Sequence, residues 1–385
     1  MLSRLTSPAA AVLLLFAAIV PAWAAAPNNQ TIAKQVEAAR LKQAVPGLAL
    51  LVMKDGQIQF QQGFGLANIE LAVPVTPQSM FQTGSIGKMF TATLILKLAE
   101  TGRIALDDPL SKHLPETPAA WSAVTLRMML NHTSGIPNFG REDYVRIVAG
   151  GEGEMARIAL AKPLDFPAGS DWRYSNTAYV LLGQLIQNVT GRFYGDLLVE
   201  QVFRPLGMAT ARIINESAIV PNRAAGYEHD DKKQLKNQDH LPQFLNTTAD
   251  GSLYFSLEDY AAWEAAVRRR GPVLKPASWA ELLRPGRLNS GASLGYAMGW
   301  EVRSGPGIAL RGHGGSWQGF QTYYLAIEHP QRPADDLAVV VLANLAVADP
   351  SIIAHDVAKA LAPDAAGLID CMAIDVRKPC PASPP

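Results

Sequence analysis

Predicted strands lie at both ends of this chain, and a long helical block separates them. Gly47–Lys54 is rich in Leu and Val and is followed by Asp55-Gly56, a dipeptide typical of tight hairpin turns. Gln57–Phe64 then has the pattern of the returning strand. Two such strands cannot bury a core alone. They most simply join strands from the other end of the chain in one antiparallel sheet, with the helical block as an insertion beside it.

The C-terminal part of the chain supplies the remaining strands. Four runs of aromatic or β-branched residues are separated by turn residues: Gly295–Arg303, Ile308–Gly312, Gly319–Ile327 and Leu337–Leu345. A last helix is expected after them, with Asp349 as its N-cap and Pro350 at its first position. The segment that follows is rich in proline, and we expect residues 363–385 to form a loose tail.

The stretch between the two sets of strands, residues 106–289, is predicted to be all helical. Asn176–Val189 has the apolar spacing of a helix and is closed by Gly191, and Ser256 begins the capping box of another helix. The polar stretch His229–His240 is expected to be an exposed loop, with a position bordering the ligand cleft as the alternative.

The predicted fold class is therefore α/β (α+β), an antiparallel β-sheet flanked by helices with an inserted all-helical region. We expect one domain over residues 27–362, whose sheet part comprises about 45–105 and 290–362. The junction of the sheet part and the helical part is the expected position of a ligand cleft.

The composition excludes several classes of function. The 385 residues include 34 Lys and Arg against 34 Asp and Glu, a neutral balance that argues against nucleic-acid binding. Two cysteines are too few for a four-cysteine zinc site, and there is neither a His-Glu-x-x-His motif nor a Walker phosphate loop. We therefore expect no metal and no other cofactor.

The N-terminus has the pattern of a secretory signal, residues 1–24. Arg4 precedes the apolar run Ala9–Val20, which is followed by Pro21 and Ala22-Trp23-Ala24. The run is too short to span a bilayer, which needs about 20 residues. We expect an exported, periplasmic or secreted protein with no stable membrane span after cleavage; the alternative is an uncleaved membrane anchor.

Export also permits a disulfide between the two cysteines, Cys371 and Cys380. They enclose a short loop near the C-terminus, and a bond between them is the favoured interpretation. Two free thiols in a loose tail are the alternative, and neither thiol is expected to take part in catalysis.

Three groups of residues carry possible chemistry. Ser85 and Lys88 lie three apart at a predicted helix start, so that the amine can take the hydroxyl proton if burial lowers its pKa. Tyr174 and Asn176 lie two apart before a helix, where a phenol can pass a proton and an amide can hold a carbonyl. His313-Gly314-Gly315-Ser316 ends a predicted strand and lets a substrate approach its edge. Taken singly, each has a plain alternative: an exposed helix start, an N-cap with a core aromatic, and a turn between strands.

In their order and spacing, the three groups resemble the serine hydrolases that include penicillin-binding proteins and β-lactamases. The most similar type is the class C β-lactamase type, which also holds D-alanyl-D-alanine carboxypeptidases, D-aminopeptidases and related esterases. In that family, a Ser-x-x-Lys helix start, a Tyr-x-Asn loop and a Lys/His-x-Gly strand meet in one cleft. The resemblance runs from about Val45 to Leu361. It includes landmarks of mainly structural use at residues 130–135 (LNHTSG), 167–169 (PAG) and 205–208 (PLGM).

The resemblance implies a role for each site residue. Ser85 matches the acylated nucleophile, and Lys88 matches its proton acceptor. Tyr174 matches the residue that passes the proton to the leaving group and then activates water, and Asn176 matches the contact to the substrate amide. The N–H groups of Ser85 and Ser316 would form the oxyanion hole.

The third motif departs from class C β-lactamases, which have Lys-Thr-Gly where this chain has His313-Gly314-Gly315. Histidine is only partly charged near pH 7, and Gly314 lacks a hydroxyl, so the carboxylate common to penicillins and cephalosporins is recognised less well. Arg311 lies two residues before His313 and either supplies the missing cation or points outward into solvent.

The expected function is that of an exported serine hydrolase with an acyl-enzyme on Ser85. Its substrate is a small molecule or peptide with an amide or ester bond, as in D-Ala-D-Ala carboxypeptidases, D-aminopeptidases or esterases. The alternatives are a class C-type β-lactamase and a non-catalytic protein that binds peptidoglycan fragments. Peptidoglycan fragments and β-lactams are the candidate partners.

Overall fold

A seven-stranded antiparallel sheet forms the centre of the structure, a computed structural model that describes residues 28–151 and 153–380. The sheet order is β3-β2-β1-β12-β11-β10-β9. The strands are β1 (Gly47–Lys54), β2 (Gln57–Asn68), β3 (Val73–Pro74), β4 (Phe81–Gln82), β5 (Arg212–Ile213), β6 (Tyr227–His229), β7 (Leu235–Asn237), β8 (Leu253–Phe255), β9 (Glu301–Gly305), β10 (Ile308–Trp317), β11 (Phe320–Glu328) and β12 (Leu337–Ala343). The signal sequence expected at residues 1–24 lies outside the described residues.

Helices cover both faces of this sheet. They are α1 (Asn29–Lys42), α2 (Lys88–Glu100), α3 (Leu126–Leu130), α4 (Arg141–Gly150), α5 (Gly153–Leu160), α6 (Asn176–Thr190), α7 (Tyr194–Leu198), α8 (Arg204–Leu206), α9 (Leu257–Arg269), α10 (Pro276–Leu282), α11 (Pro350–Leu361) and α12 (Ala366–Cys371). Within residues 28–151 and 153–380, no helix is long and apolar enough to cross a membrane.

The two ends of the chain meet in the sheet, which confirms the predicted architecture. Asp55 and Gly56 take positive φ angles of 51° and 70° at the turn between β1 and β2. β1 then pairs with β12, for example through Leu51 and Val340. The antiparallel sheet flanked by helices is thus assembled from sequence segments that lie almost 300 residues apart.

The alternation of side chains along β1 divides the interior into two cores. Ala49, Leu51 and Met53 face the insertion and pack with α2, α6 and α9. Leu48 and Leu50 face the opposite side, where α1, α11 and α12 cover the sheet. Because both faces of β1 are buried, the strand is apolar at nearly every position.

The expectation of an all-helical insertion is wrong, because the insertion also contains strands. β5 and β8 form a small sheet with β4, and β6 and β7 form a hairpin where an exposed loop was expected at 229–240. Asp230 closes this hairpin, since its Oδ1 accepts the N–H groups of Lys232 and Gln234 at 2.9 and 2.8 Å. Local hydrogen bonds of this kind stabilise a hairpin even where apolar and polar residues do not alternate along its strands. The hairpin is therefore not predicted by the hydrophobic pattern of the sequence.

The expectation of a loose tail is wrong for residues 363–380. α12 forms there, and Arg303 of β9 donates hydrogen bonds to Cys371 O at 3.1 Å and Ile374 O at 2.6 Å. Cys371 and Cys380 form the expected disulfide. The tail is therefore fastened to the edge of the sheet.

Candidate active site

Ser85 lies in a short 3-10 turn, Gly84–Gly87, that continues directly into α2 at Lys88. Side chains three residues apart are eclipsed in such a turn, and Lys88 Nζ lies 3.2 Å from Ser85 Oγ. Gly84 has a φ of 54°, and a Cβ at this position would lie 2.4 Å from Ser316 N. Only glycine therefore allows β10 to pass so close to the residue that precedes Ser85.

Lys88 is completely buried, and its amine has three polar neighbours, which are Ser85, Asn176 and Asp250. Nζ lies 2.7 Å from Asn176 Oδ1 and 2.6 Å from Asp250 O, and both oxygens only accept hydrogen bonds. A neutral amine fills both with its two N–H groups and directs its lone pair at Ser85. Burial lowers the pKa of Lys88 to about 8, although the charge of Asp250 acts in the opposite direction. Lys88 is therefore able to accept the Ser85 proton near neutral pH.

Tyr174 and Asn176 are held in place by Asn138. The Asn138 amide donates to Tyr174 O at 2.8 Å, and its Oδ1 accepts from Asn176 N at 2.6 Å. Ser175, and not Asn176, caps α6, because its side chain accepts the N–H of Ala178. The Asn176 side chain is thereby left to contact the lysine.

The Tyr174 ring centroid lies 4.9 Å from Lys88 Nζ. The Tyr174 hydroxyl is buried and has no hydrogen-bond partner of normal geometry within the described ranges. Burial raises the pKa of Tyr174, and the nearby Ser85 hydroxyl opposes this effect. Tyr174 is therefore a phenol with a proton to donate.

The residues from His313 to Ser316 lie at the end of a strand, as predicted, although β10 continues to Trp317 where the sequence predicted a strand that ends at Gly312. β9 begins only at Glu301 and pairs with β10 as far as Gly312. Beyond that pair, β10 pairs with β11 alone in the part of the chain that is described. Gly315 must be glycine, because a Cβ there would lie 1.9 Å from Thr83 O. The open edge of β10 faces the cleft beside Ser85.

A chain of hydrogen bonds fixes the state of His313. The N–H of Ser175 donates to His132 Nδ1 at 3.1 Å, so His132 carries its proton on Nε2, 3.2 Å from the Tyr296 hydroxyl. That hydroxyl lies 2.9 Å from His313 Nε2 and donates to it. The other nitrogen, His313 Nδ1, donates to Gly314 O at 2.5 Å. Each imidazole in this chain is therefore neutral.

Electrostatics agree with this assignment. Burial lowers the pKa of His313 to about 4, and the charge of Lys88 acts in the same direction. The pKa of His132 is lowered well below its ordinary value, again chiefly by burial. The expectation that His313 is partly charged near pH 7 is therefore wrong, and this position supplies no cation to the cleft.

Arg311 does not supply the missing cation either. Its guanidinium lies 3.0 Å from Glu264 and 3.2 Å from Glu328, and the side chain is buried. Both alternatives from the sequence, a cation in the cleft and a solvated arginine, are wrong. The Arg311 guanidinium is paired with these two carboxylates and does not contribute to the candidate active site.

The cleft is a cavity of about 640 Å³ that contains Ser85, Tyr174 and the segment His313–Ser316. Sequence analysis missed two residues of this region, Tyr296 and Glu301. Both fall in a segment that was predicted to be one strand. In the structure β9 begins only at Glu301, and Tyr296 lies before it and forms an isolated bridge with Glu301. Tyr296 is fully buried, so an aromatic residue there was indistinguishable from a core residue.

Comparison with known proteins was consistent with this geometry. A family model described as beta-lactamase matches residues 29–362. Penicillin-binding protein 4* of Bacillus subtilis (strain 168) is 29% identical over 300 residues, covering 73% of this chain and 65% of that protein. Protein flp of Staphylococcus aureus (strain N315) is 28% identical over 330 residues, covering 83% of this chain and 63% of that protein. The chain thus spans less than two thirds of the length of these curated relatives.

Solved structures show the same fold. The octameric penicillin-binding protein homologue from Pyrococcus abyssi has a TM-score of 0.73 and 28% identity, covering 87% of this chain and 76% of that one. A D-stereospecific amidohydrolase from Streptomyces sp. has a TM-score of 0.69 and 24% identity, covering 87% of this chain and 98% of that one. The latter similarity concerns the fold alone.

Proposed function

Because the chain belongs to the β-lactamase family, we propose that it is a serine hydrolase that acts on amide or ester bonds and forms an acyl-enzyme on Ser85. The observation that carries the proposal is the position of the Lys88 amine. It is buried, donates to Asn176 Oδ1 and Asp250 O, and lies 3.2 Å from Ser85 Oγ, so that in its neutral form the remaining lone pair can take the hydroxyl proton.

In the first step, Ser85 Oγ attacks the substrate carbonyl while Lys88 takes the hydroxyl proton. The oxyanion forms beside the N–H groups of Ser85 and Ser316, which come from two backbone segments that touch at Gly84. Tyr174 then donates its phenolic proton to the leaving group, which departs as an amine or alcohol. The proton on Lys88 restores the phenol, and Ser85 is left as an ester.

In the second step, water replaces the leaving group. The water molecule attacks the ester carbonyl and gives a proton to Tyr174, while the phenolic proton of Tyr174 passes to Lys88. Lys88 then returns this proton to Ser85 Oγ as the ester C–O bond breaks. The carboxylic acid product leaves, and the Ser85 hydroxyl is restored. Asn176 is proposed to contact the substrate amide through its side-chain NH2 group while its Oδ1 accepts from Lys88 Nζ.

We propose a peptidase or esterase in preference to a β-lactamase. Penicillins and cephalosporins carry a carboxylate, and His313 and Arg311, the candidate cations at the third motif, are a neutral imidazole and an internally paired guanidinium. D-Ala-D-Ala carboxypeptidase, D-aminopeptidase and esterase activity are the proposed types. Export to the periplasm or the medium is also proposed, on the pattern of residues 1–24.

The test is intact mass against time after the protein is mixed with a fluorophosphonate or with benzylpenicillin. We expect one fluorophosphonate adduct in the wild type, none in Ser85→Ala, and a normal adduct in the exposed-serine control Ser122→Ala. A long-lived penicilloyl adduct fits a peptidase, whereas rapid drug hydrolysis with little adduct would favour the β-lactamase alternative. If neither reagent labels Ser85, the acyl-enzyme is refuted and the binding-only alternative takes its place.

A further inference from the structure

The cleft beside Ser85 is acidic. Its lining includes the carboxylates of Glu301 and Asp349, and no Lys or Arg is found among the described residues that line it. Lys88 lies below Ser85 and is engaged there, and His313 is neutral for the reasons given above. A substrate that enters the cavity therefore meets negative charge without a compensating side-chain cation on its walls.

Of the two carboxylates, Asp349 is already engaged. Its Oδ1 accepts the N–H of Ser351 at 3.1 Å and the Ser351 hydroxyl at 2.5 Å, and so caps α11. The Glu301 side chain makes no hydrogen bond with the described residues, and burial is the largest influence on its pKa. Glu301 is therefore the carboxylate that is available to a ligand.

Glu301 also stands at a position that a substrate reaches. It is the first residue of β9 and pairs with Gly312, the last residue of β10 before the open edge. A substrate that lies along this edge next to Gly314 therefore extends from Ser85 towards Glu301. Glu301 is only partly exposed at the wall of the cleft, and a cation that fills the cavity gives this unpaired carboxylate a partner.

The groups around Glu301 do not neutralise it. Arg303, on the same strand, donates to the carbonyl groups of Cys371 and Ile374 and forms no ion pair with Glu301. The other titratable neighbours are tyrosines and the groups described above: Tyr174 before α6, Tyr296, which forms a bridge with Glu301, Tyr323 on β11, Asp349 and His313. Burial raises the pKa of Glu301 to about 7, and the charge of Arg303 acts in the opposite direction.

We propose that Glu301 binds an ammonium group of the substrate, so that the preferred substrates are amides or esters that carry a free amine. This inference rests on the proposed acyl transfer at Ser85 and narrows its substrate class. Glu301 is a specificity-determining residue in this scheme and takes no part in bond breaking. Its effect belongs in KM, because the ion pair forms on binding.

The experiment compares matched p-nitroanilides at pH 8: those of D-alanine, β-alanine and 6-aminohexanoic acid, each with its N-acetylated form. The pairs differ in charge and place the amine at three distances from the carbonyl. We expect kcat/KM to favour the free amine in at least one pair by about tenfold, as for a desolvated charged hydrogen bond. Glu301→Gln should reduce that ratio to within about twofold through KM, whereas the exposed-carboxylate control Glu116→Gln should keep it.

Three results would overturn the proposal: no preference in any pair, a preference that survives in Glu301→Gln, or an equal loss of kcat on both members of a pair. The last result would assign Glu301 to the chemistry instead. Fluorophosphonate labelling of Ser85 in each variant shows that the protein is folded and active. If the wild type is not labelled, acyl transfer itself fails, whereas normal labelling without an amine preference refutes the Glu301 assignment alone.

Discussion

The burial of Lys88 makes the free energy of unfolding depend on pH. The pKa of Lys88 is about 8 in the folded protein against an ordinary value of 10.5. The unfolded chain therefore binds more protons between these values, and stability rises with pH across this interval. Below about pH 8 the full cost of burying a protonatable amine is present, and the cost disappears as the pH approaches 10.5.

The two pKa values differ by about 2.5, and at about 1.36 kcal/mol for each pH unit the total effect is about 3.4 kcal/mol. Between pH 7 and pH 9.5, the linkage relation gives about 2 kcal/mol of this. Other groups also titrate in that range, so the measurement is a difference. Lys88→Met replaces the amine with an apolar side chain of similar length and removes this one titration.

The assay is urea unfolding of both proteins at pH 7, 8, 9 and 9.5. Whatever the difference in unfolding free energy between the two proteins at pH 7, the unfolding free energy of the wild type should rise by about 2 kcal/mol relative to that of Lys88→Met by pH 9.5. The variant should also have lost turnover, while wild-type kcat/KM should rise as the pH passes through about 8. A difference that stays constant within about 0.3 kcal/mol would refute the lowered pKa, and with it the lysine as the base for Ser85.

Three further changes test the surroundings of the site. Tyr296→Phe removes the hydroxyl between two imidazoles and leaves His313 Nε2 unpaired, so unfolding should become easier by about 1–3 kcal/mol and kcat/KM should fall; unchanged stability would contradict the hydrogen-bond chain. Gly84→Ala forces a Cβ towards β10 and should abolish fluorophosphonate labelling of soluble protein, so normal labelling would contradict the close approach. Replacing Cys371 and Cys380 by serine opens a small loop and should cost about 2.5–3 kcal/mol in urea unfolding, with labelling of Ser85 retained; loss of labelling would instead connect the tail to the cleft.

Much of the fold is visible in the sequence because its signals are local. The Asp55-Gly56 turn sets the first hairpin, and the capping box at Ser256 sets the start of α9. Gly191 ends α6 in the left-handed conformation that was expected of it. In contrast, the hairpin at 227–237 and the ordered tail depend on contacts that hydrophobic periodicity does not predict. An example is the pair of hydrogen bonds from Arg303 to the carbonyl groups of residues 371 and 374.

For the site, the sequence indicates which residues lie together, but it does not determine their protonation states. Ser85 and Lys88 meet because a turn brings residues three apart together, which spacing alone can predict. The neutrality of His313 depends on the Tyr296 hydroxyl and, through it, on His132, whose tautomer is set by the backbone N–H of Ser175. The fate of Arg311 likewise depends on Glu264 of α9, across the interface between the sheet and the insertion.

These contacts separate acyl transfer from recognition. Gly84 and Gly315 are required by backbone contacts that set Ser85 against β10, so neither position tolerates change without moving the nucleophile. Gly314 is under no such constraint, because a Cβ there would meet only Tyr323 at 3.6 Å. The missing hydroxyl of the third motif is therefore a matter of recognition and not of packing. The neutral imidazole next to it and the unpaired carboxylate of Glu301 act in the same direction, since both withdraw support from an anionic substrate and favour a cationic one.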